Sequence, residues 1–103
     1  MKKKKLYTKS FRNEENVVYQ LEYSLTIRSA EQGRIYGMAI QKRDSVGNQE
    51  EEAFEELCEN REEAEAFLFR LAEGVAHPIE LTALVDDYVS EKEEEIALTQ
   101  AAS

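Results

Sequence analysis

The stretch VVYQLEYSLTIR, residues 17–28, constrains the fold more than any other part of the chain. Val17, Tyr19, Leu21, Tyr23, Leu25 and Ile27 alternate with Val18, Gln20, Glu22, Ser24, Thr26 and Arg28. A period of two sends the first set to one face of a β-strand and the second to the other. Tyrosine and β-branched side chains suit that pleated surface. A strand with so long an apolar face needs a cover, and the rest of the chain must supply it.

The neighbouring segments read as further strands. Residues 29–33, SAEQG, form a loop in which Gly33 can take positive φ. RIYGMAIQKR then places Tyr36, Met38 and Ile40 on one face and the small Gly37 and Ala39 on the other. DSVGN, residues 44–48, is a turn. Upstream, Leu6–Phe11 reads as a short strand with Tyr7, Lys9 and Phe11 on one side, closed by the turn Arg12–Asn16.

The glutamate-rich run that starts at Gln49 admits two readings. A single long helix would put Phe54, Leu57, Ala64, Leu68, Leu71 and Val75 on one stripe, with Arg61 among them. The preferred reading makes Glu50–Glu56 an edge strand and starts the helix after Asn60, because Asn60 and Glu63 have the spacing of a capping box. From there Ala64, Phe67, Leu68, Leu71 and Ala72 form an apolar stripe of helical period. Gly74 is the expected left-handed stop, with Val75 folding back onto the last turn. Pro78 suits the first turn of a second helix, with His77 at its cap and Leu81, Leu84, Val85 and Tyr88 as its stripe. After Ser90 the pattern decays.

The expected fold class is therefore α+β: a small antiparallel meander of three strands, or four with Leu6–Phe11, followed by an αα-hairpin packed on one sheet face. Residues 1–5 are expected as a basic flexible tail, 6–90 as a single domain and 91–103 as an acidic, disordered tail. A chain of 103 residues fits one domain. No stretch approaches the ~20 apolar residues that span a bilayer, so no membrane partner is expected. The four lysines after Met1 precede no apolar segment, so no export is expected. Cys58 is the single cysteine, which excludes an intramolecular disulfide and a cysteine-based zinc site. A reducing cytoplasm is the expected location.

Net charge is −9, unevenly spread: residues 1–43 hold ten basic and four acidic side chains, and residues 44–103 hold three basic and eighteen acidic. Two oppositely charged halves attract each other within one fold, and the same asymmetry suits a partner surface.

Candidate chemistry is sparse. A carboxylate-bridged di-metal site needs two Glu-x-x-His motifs, and His77 is the only histidine and lies in neither. DSVGNQE lacks the alternating ligands of a calcium loop. Glu59, Glu62 and Glu63 sit where negative charge favours a helix start, and the strand glutamates guard an edge. Cys58 near a helix N-terminus, with His77 as base, is the one nucleophile to weigh. Lys2–Lys5, Lys9 and Arg12, with Tyr7 and Phe11 interleaved, could contact nucleic acid, although the acidic balance opposes it. No Gly-rich phosphate loop is present, and nothing calls for a cofactor.

The stretch ENREEAEAFLFRLAEGVAHPIELTALVDDYV resembles the end of a family of small uncharacterised bacterial proteins, mostly from Gram-positive anaerobes and catalogued as a domain of unknown function. The matching positions are Asn60, Arg61, Val75, Pro78, Leu81, Val85, Asp87 and Tyr88, and YQLEYSL and YGMAI resemble the family's first two strands. The resemblance covers residues 17–89 and implies a ββ(β)αα fold with Glu50–Glu56 as strand. It brings no catalytic residue. His77 and Cys58 stand where the resemblance leads one to expect hydroxyl residues.

The expected function is that of a small non-enzymatic cytoplasmic interaction or regulatory module, acting on an unknown protein partner or on a second copy of itself. The alternatives are a thiol enzyme using Cys58 and a weak nucleic-acid binder using the basic N-terminal segment. The expected interface is the sheet face left bare by the helices, with Val18, Ile35, Gly37 and Ala39 rimmed by Arg34, Lys42 and Arg43. That patch is apolar enough to pair two copies as a homodimer.

Overall fold

The computed structural model describes residues 2–101, and side chains for residues 2–95. Four strands, β1 (Lys2–Arg12), β2 (Val18–Ala30), β3 (Gly33–Asp44) and β4 (Gln49–Cys58), form one antiparallel sheet in the order β1-β2-β3-β4. Helix α1 (Arg61–Glu73) follows, then a 3-10 turn (Pro78–Glu80) that leads directly into helix α2 (Leu81–Ala101). The fold is α+β, with a four-stranded meander. The glutamate-rich run is strand from Gln49 to Cys58, as the capping spacing implied.

The alternation in β2 sets the layers. Leu21, Tyr23 and Leu25 are fully buried and share a face with Met38 and Ile40 of β3. Ala64, Phe67, Leu68, Leu71 and Ala72 of α1 cover that face over β2 and β3, and Leu81 and Val85 of α2 complete the core. The Tyr23 hydroxyl donates to the Ala76 carbonyl at 2.8 Å, which fixes the connection between the helices to the middle of the sheet. Burial pushes this phenol up to about 12, with Glu80 adding to the shift.

Several expectations change in detail. Lys2–Lys5, expected as a tail, continue β1 in register with β2 from Lys2 opposite Ile27 to Lys5 opposite Ser24. A register shift between Lys5 and Tyr7 then reverses the alternation, so Lys3 and Lys5 lie on one face while Tyr7, Lys9 and Phe11 lie on the other. α2 continues through Glu91–Ala101, where the pattern predicted disorder; residues 102–103 of that expected tail lie outside the described residues. At the end of α1, Gly74 has φ −81 and Val75 takes the left-handed conformation at φ 52. Ala76, not Val75, turns inward, and its N–H donates to the Leu71 carbonyl at 2.9 Å.

Candidate functional site

Strand register shows where each residue of the expected interface lies. Thr26 faces Gly37 and Arg28 faces Ile35, on the side away from the helices, together with Ser24, Ala39 and Val18. Arg34 pairs with Ser29 and Lys42 with Leu21, so both belong to the helix side and do not rim the other face. Gly37 and Ala39 are buried, with Ala39 only 2% exposed.

Two features bury them. Tyr36 and Met38 pair with Cys58 and Phe54, so Gly37 alone faces the bulged residues Glu55–Leu57. A Cβ at position 37 would lie 2.1 Å from the Phe54 carbonyl oxygen, and glycine is the residue this approach admits. The sheet also curls. Lys3 on one edge strand meets Glu51 on the other at 2.7 Å, across two central strands. In a flat sheet those edges stand about 14 Å apart at the usual strand spacing. Lys5 and Arg43 both approach Glu22, at 3.7 and 4.0 Å, and Arg28 pairs with Glu56. The far face is thus a floor of small side chains under crossing ion pairs. Thr26 Oγ1 is buried in it with no hydrogen-bond partner among the described residues.

The two candidates for thiol chemistry are kept apart. Cys58 ends β4, before α1, whereas His77 follows α1, a helix of 13 residues and so roughly 20 Å long. His77 packs against Phe11, with ring centroids at 5.6 Å. The Cys58 thiol donates to the Asn60 carbonyl at 3.3 Å, and burial pushes its pKa up, with Glu63 adding to the rise. A raised thiol pKa means less nucleophilic thiolate.

Beside Cys58 lies a network that the sequence did not disclose. The Tyr88 hydroxyl donates to Glu63 Oε1, and Lys92 Nζ lies 3.0 Å from the same oxygen. Glu63 is half of the expected capping box, but only one arm forms: its N–H donates to Asn60 Oδ1 at 3.0 Å, while its carboxylate turns to α2. The Tyr88 bond, and then Lys92, hold that carboxyl below its usual range. Burial and then the Glu63 bond raise the Tyr88 phenol. These contacts, with Phe67 and Tyr88 at 4.6 Å between centroids, tie α1 to α2. A separation of 25 residues leaves no local signal in the sequence.

The aromatic side chains interleaved with the N-terminal basic residues are already engaged. Tyr7 meets Phe69 edge-on at 5.8 Å, and Phe11 stacks on Tyr19 at 5.0 Å. Base stacking would need to displace those contacts.

The connection between the helices presents a different surface. Ile79 is 85% exposed and Val75 39% exposed. Val75 is β-branched and left-handed, a combination that costs roughly 1–2 kcal/mol. The exposed Glu73 and Glu80 lie in the same segment, and Glu80 accepts the His77 N–H at 3.0 Å. Sequence reasoning had assigned Val75 to the interior; the signal that it is not lies in its place after Gly74, where a left-handed residue can end a Schellman-type turn.

Fold and surface together define a small α+β domain, a curled antiparallel meander capped on one face by two helices. Its sequence matches the model of a family of unknown function, DUF6514, over residues 2–91, and the chain belongs to that family. No curated protein and no solved structure matches it. No described helix is long and apolar enough to cross a membrane.

Proposed function

We propose that the chain is a non-enzymatic, cytoplasmic interaction module that engages a basic partner surface through the connection between α1 and α2. The observation that carries this reading is the pairing of Ile79, almost fully in water, with Val75 on strained backbone. The strained backbone costs the isolated chain stability and the exposed Ile79 returns none, and strain retained on a surface is typical of functional positions. Exposed Glu73 and Glu80 border the two side chains, in the half of the chain that holds eighteen acidic and three basic residues, so the partner chemistry is apolar with a cationic rim. The raised Cys58 thiol and its separation from His77 weigh against the thiol-enzyme alternative. A lone free thiol suits a reducing compartment. Homodimerisation through the sheet face loses its support, because Gly37 and Ala39 are covered.

The test is capture from native lysate with the wild-type chain and Ile79→Glu side by side, both first shown to melt at the same temperature. The expected result is a stoichiometric partner with a basic surface, held by the wild type and released by the variant. A partner held equally by both would end the reading. So would a turnover, found in a broad enzymatic screen, that Cys58→Ser abolishes.

A further inference from the structure

At the other end of α1 the sheet outruns its helical cover. β2 and β3 continue to Ala30 and Gly33, while α1 begins level with Cys58, opposite Tyr36. The exposed helix-side surface there forms an open cavity of about 630 Å³. Lys2, Lys3 and Lys4 line it from β1, with the Lys3 ammonium drawn away to Glu51; Ile27, Ser29 and Arg34 line it from the β2–β3 hairpin, and Arg61 from the first turn of α1. The register accounts for the gathering. Lys2 is opposite Ile27, Lys4 opposite Leu25 and Arg34 opposite Ser29, all on one face. Strand alternation divides the lysine tract, and the bulge between Lys5 and Tyr7 sets its phase, so Lys3 and Lys5 turn their charges to the far face and to Glu51 and Glu22.

Lys2, Lys4 and Arg34 have no ion-pair partner among the described residues, in a chain with nine more acidic than basic side chains. Arg61 spends one N–H on Glu65 at 2.9 Å and keeps the rest of its guanidinium. Like charges held around one concavity repel, and an anion removes that repulsion. We propose that this cavity binds a compact polyphosphate group, with Lys2, Lys4 and Arg34 as its charge contacts and Arg61 as a fourth donor.

Three observations choose this ligand. Guanidinium forks match phosphate oxygens bidentately, and lysines serve as point charges around them. Ile27 is the only apolar side chain of the lining, and no aromatic ring stands ready to hold a base or a hydrophobic peptide anchor. The charged donors gather around one open cavity, which suits a short polyanion rather than a long one. The site is separate from the Val75–Ile79 surface and does not depend on it.

Isothermal titration calorimetry with inorganic tripolyphosphate, at low and physiological salt, tests the proposal on the full chain. ATP forms a second arm that distinguishes a nucleotide source from the free polyphosphate. The expected result is one site per chain whose affinity falls with salt. Arg34→Gln and the double variant Lys2→Gln/Lys4→Gln each weaken it roughly tenfold or more, the size of a lost bond to a charged group. Lys9→Gln, on the same strand but outside the cavity, leaves it unchanged. ATP binding as tightly as tripolyphosphate supports a nucleotide source, and weaker ATP binding supports the free polyphosphate; both support the site. No heat at millimolar ligand, equal losses in Lys9→Gln and Arg34→Gln, or tighter binding of a single-stranded oligonucleotide than of tripolyphosphate would overturn it. Arg34 is exposed, so an unchanged melting temperature is expected and confirms that Arg34→Gln reports on binding.

Discussion

Single residues carry the sharpest consequences of this structure. Val75 sits at φ 52 where glycine would be unstrained, so Val75→Gly is expected to raise stability by about 1 kcal/mol in urea denaturation, even though it removes a side chain. Gly37 is the reverse case. Because the Phe54 carbonyl occupies the space of its missing Cβ, Gly37→Ala must displace β4 and should cost roughly 1–3 kcal/mol or more. Tyr23 supplies a pH signature. Its folded phenol titrates at about 12, above the ordinary value near 10, so its contribution to stability is complete below pH ~10 and is lost as pH rises toward 12. Alkaline denaturation should therefore be shallower in Tyr23→Phe than in the wild type between those pH values. At neutral pH the same variant should lose about 1 kcal/mol with the bond to Ala76.

Among the elements, β2 was the most legible because every second residue from Leu21 to Leu25 is buried, and strict alternation has only one strand-like solution. α1 was legible from its stripe and from Asn60. β1 was only half legible: four successive lysines carry no period, and they become strand because β2 extends beside them and offers backbone partners. The buried far face was not legible at all. Its closure depends on a bulge in β4 and on an ion pair between residues 3 and 51, and neither leaves a mark in the local pattern. The same reasoning explains the cavity, which needs the β1 bulge to set which lysines of the alternating tract face the helices. For the helices, Leu68 is fully buried beneath α1, and Leu68→Ala should cost about 2–5 kcal/mol by chemical denaturation. Leu84→Ala, at a half-buried position of α2, should cost clearly less.

For the whole molecule, covering Gly37 and Ala39 changes what association to expect. Sedimentation velocity at micromolar concentration should show one 11.9 kDa species at both low and moderate salt. Ala39→Glu should then lower the melting temperature, because it forces a charge into a closed face, and should not act by splitting a dimer. A dimer separated by Ala39→Glu with an unchanged melt would restore the sheet face as an interface. The two sheet edges are guarded differently, β1 by lysines and β4 by Glu50, Glu51 and Glu52, so like edges of two copies repel.

The order of elements along the chain gives those guarded edges a further role during synthesis. All four strands precede Asn60, so the sheet emerges from a ribosome before either helix. Each strand pairs with its sequence neighbour, and such local pairing forms early. For the time needed to translate the next thirty or so residues, at ~5–20 residues per second, Leu21, Tyr23, Leu25, Met38 and Ile40 face water with no helix above them. In that interval like edges of neighbouring nascent chains repel, and the charges of β1 and β4 guard the open sheet until Leu68 and Leu81 arrive.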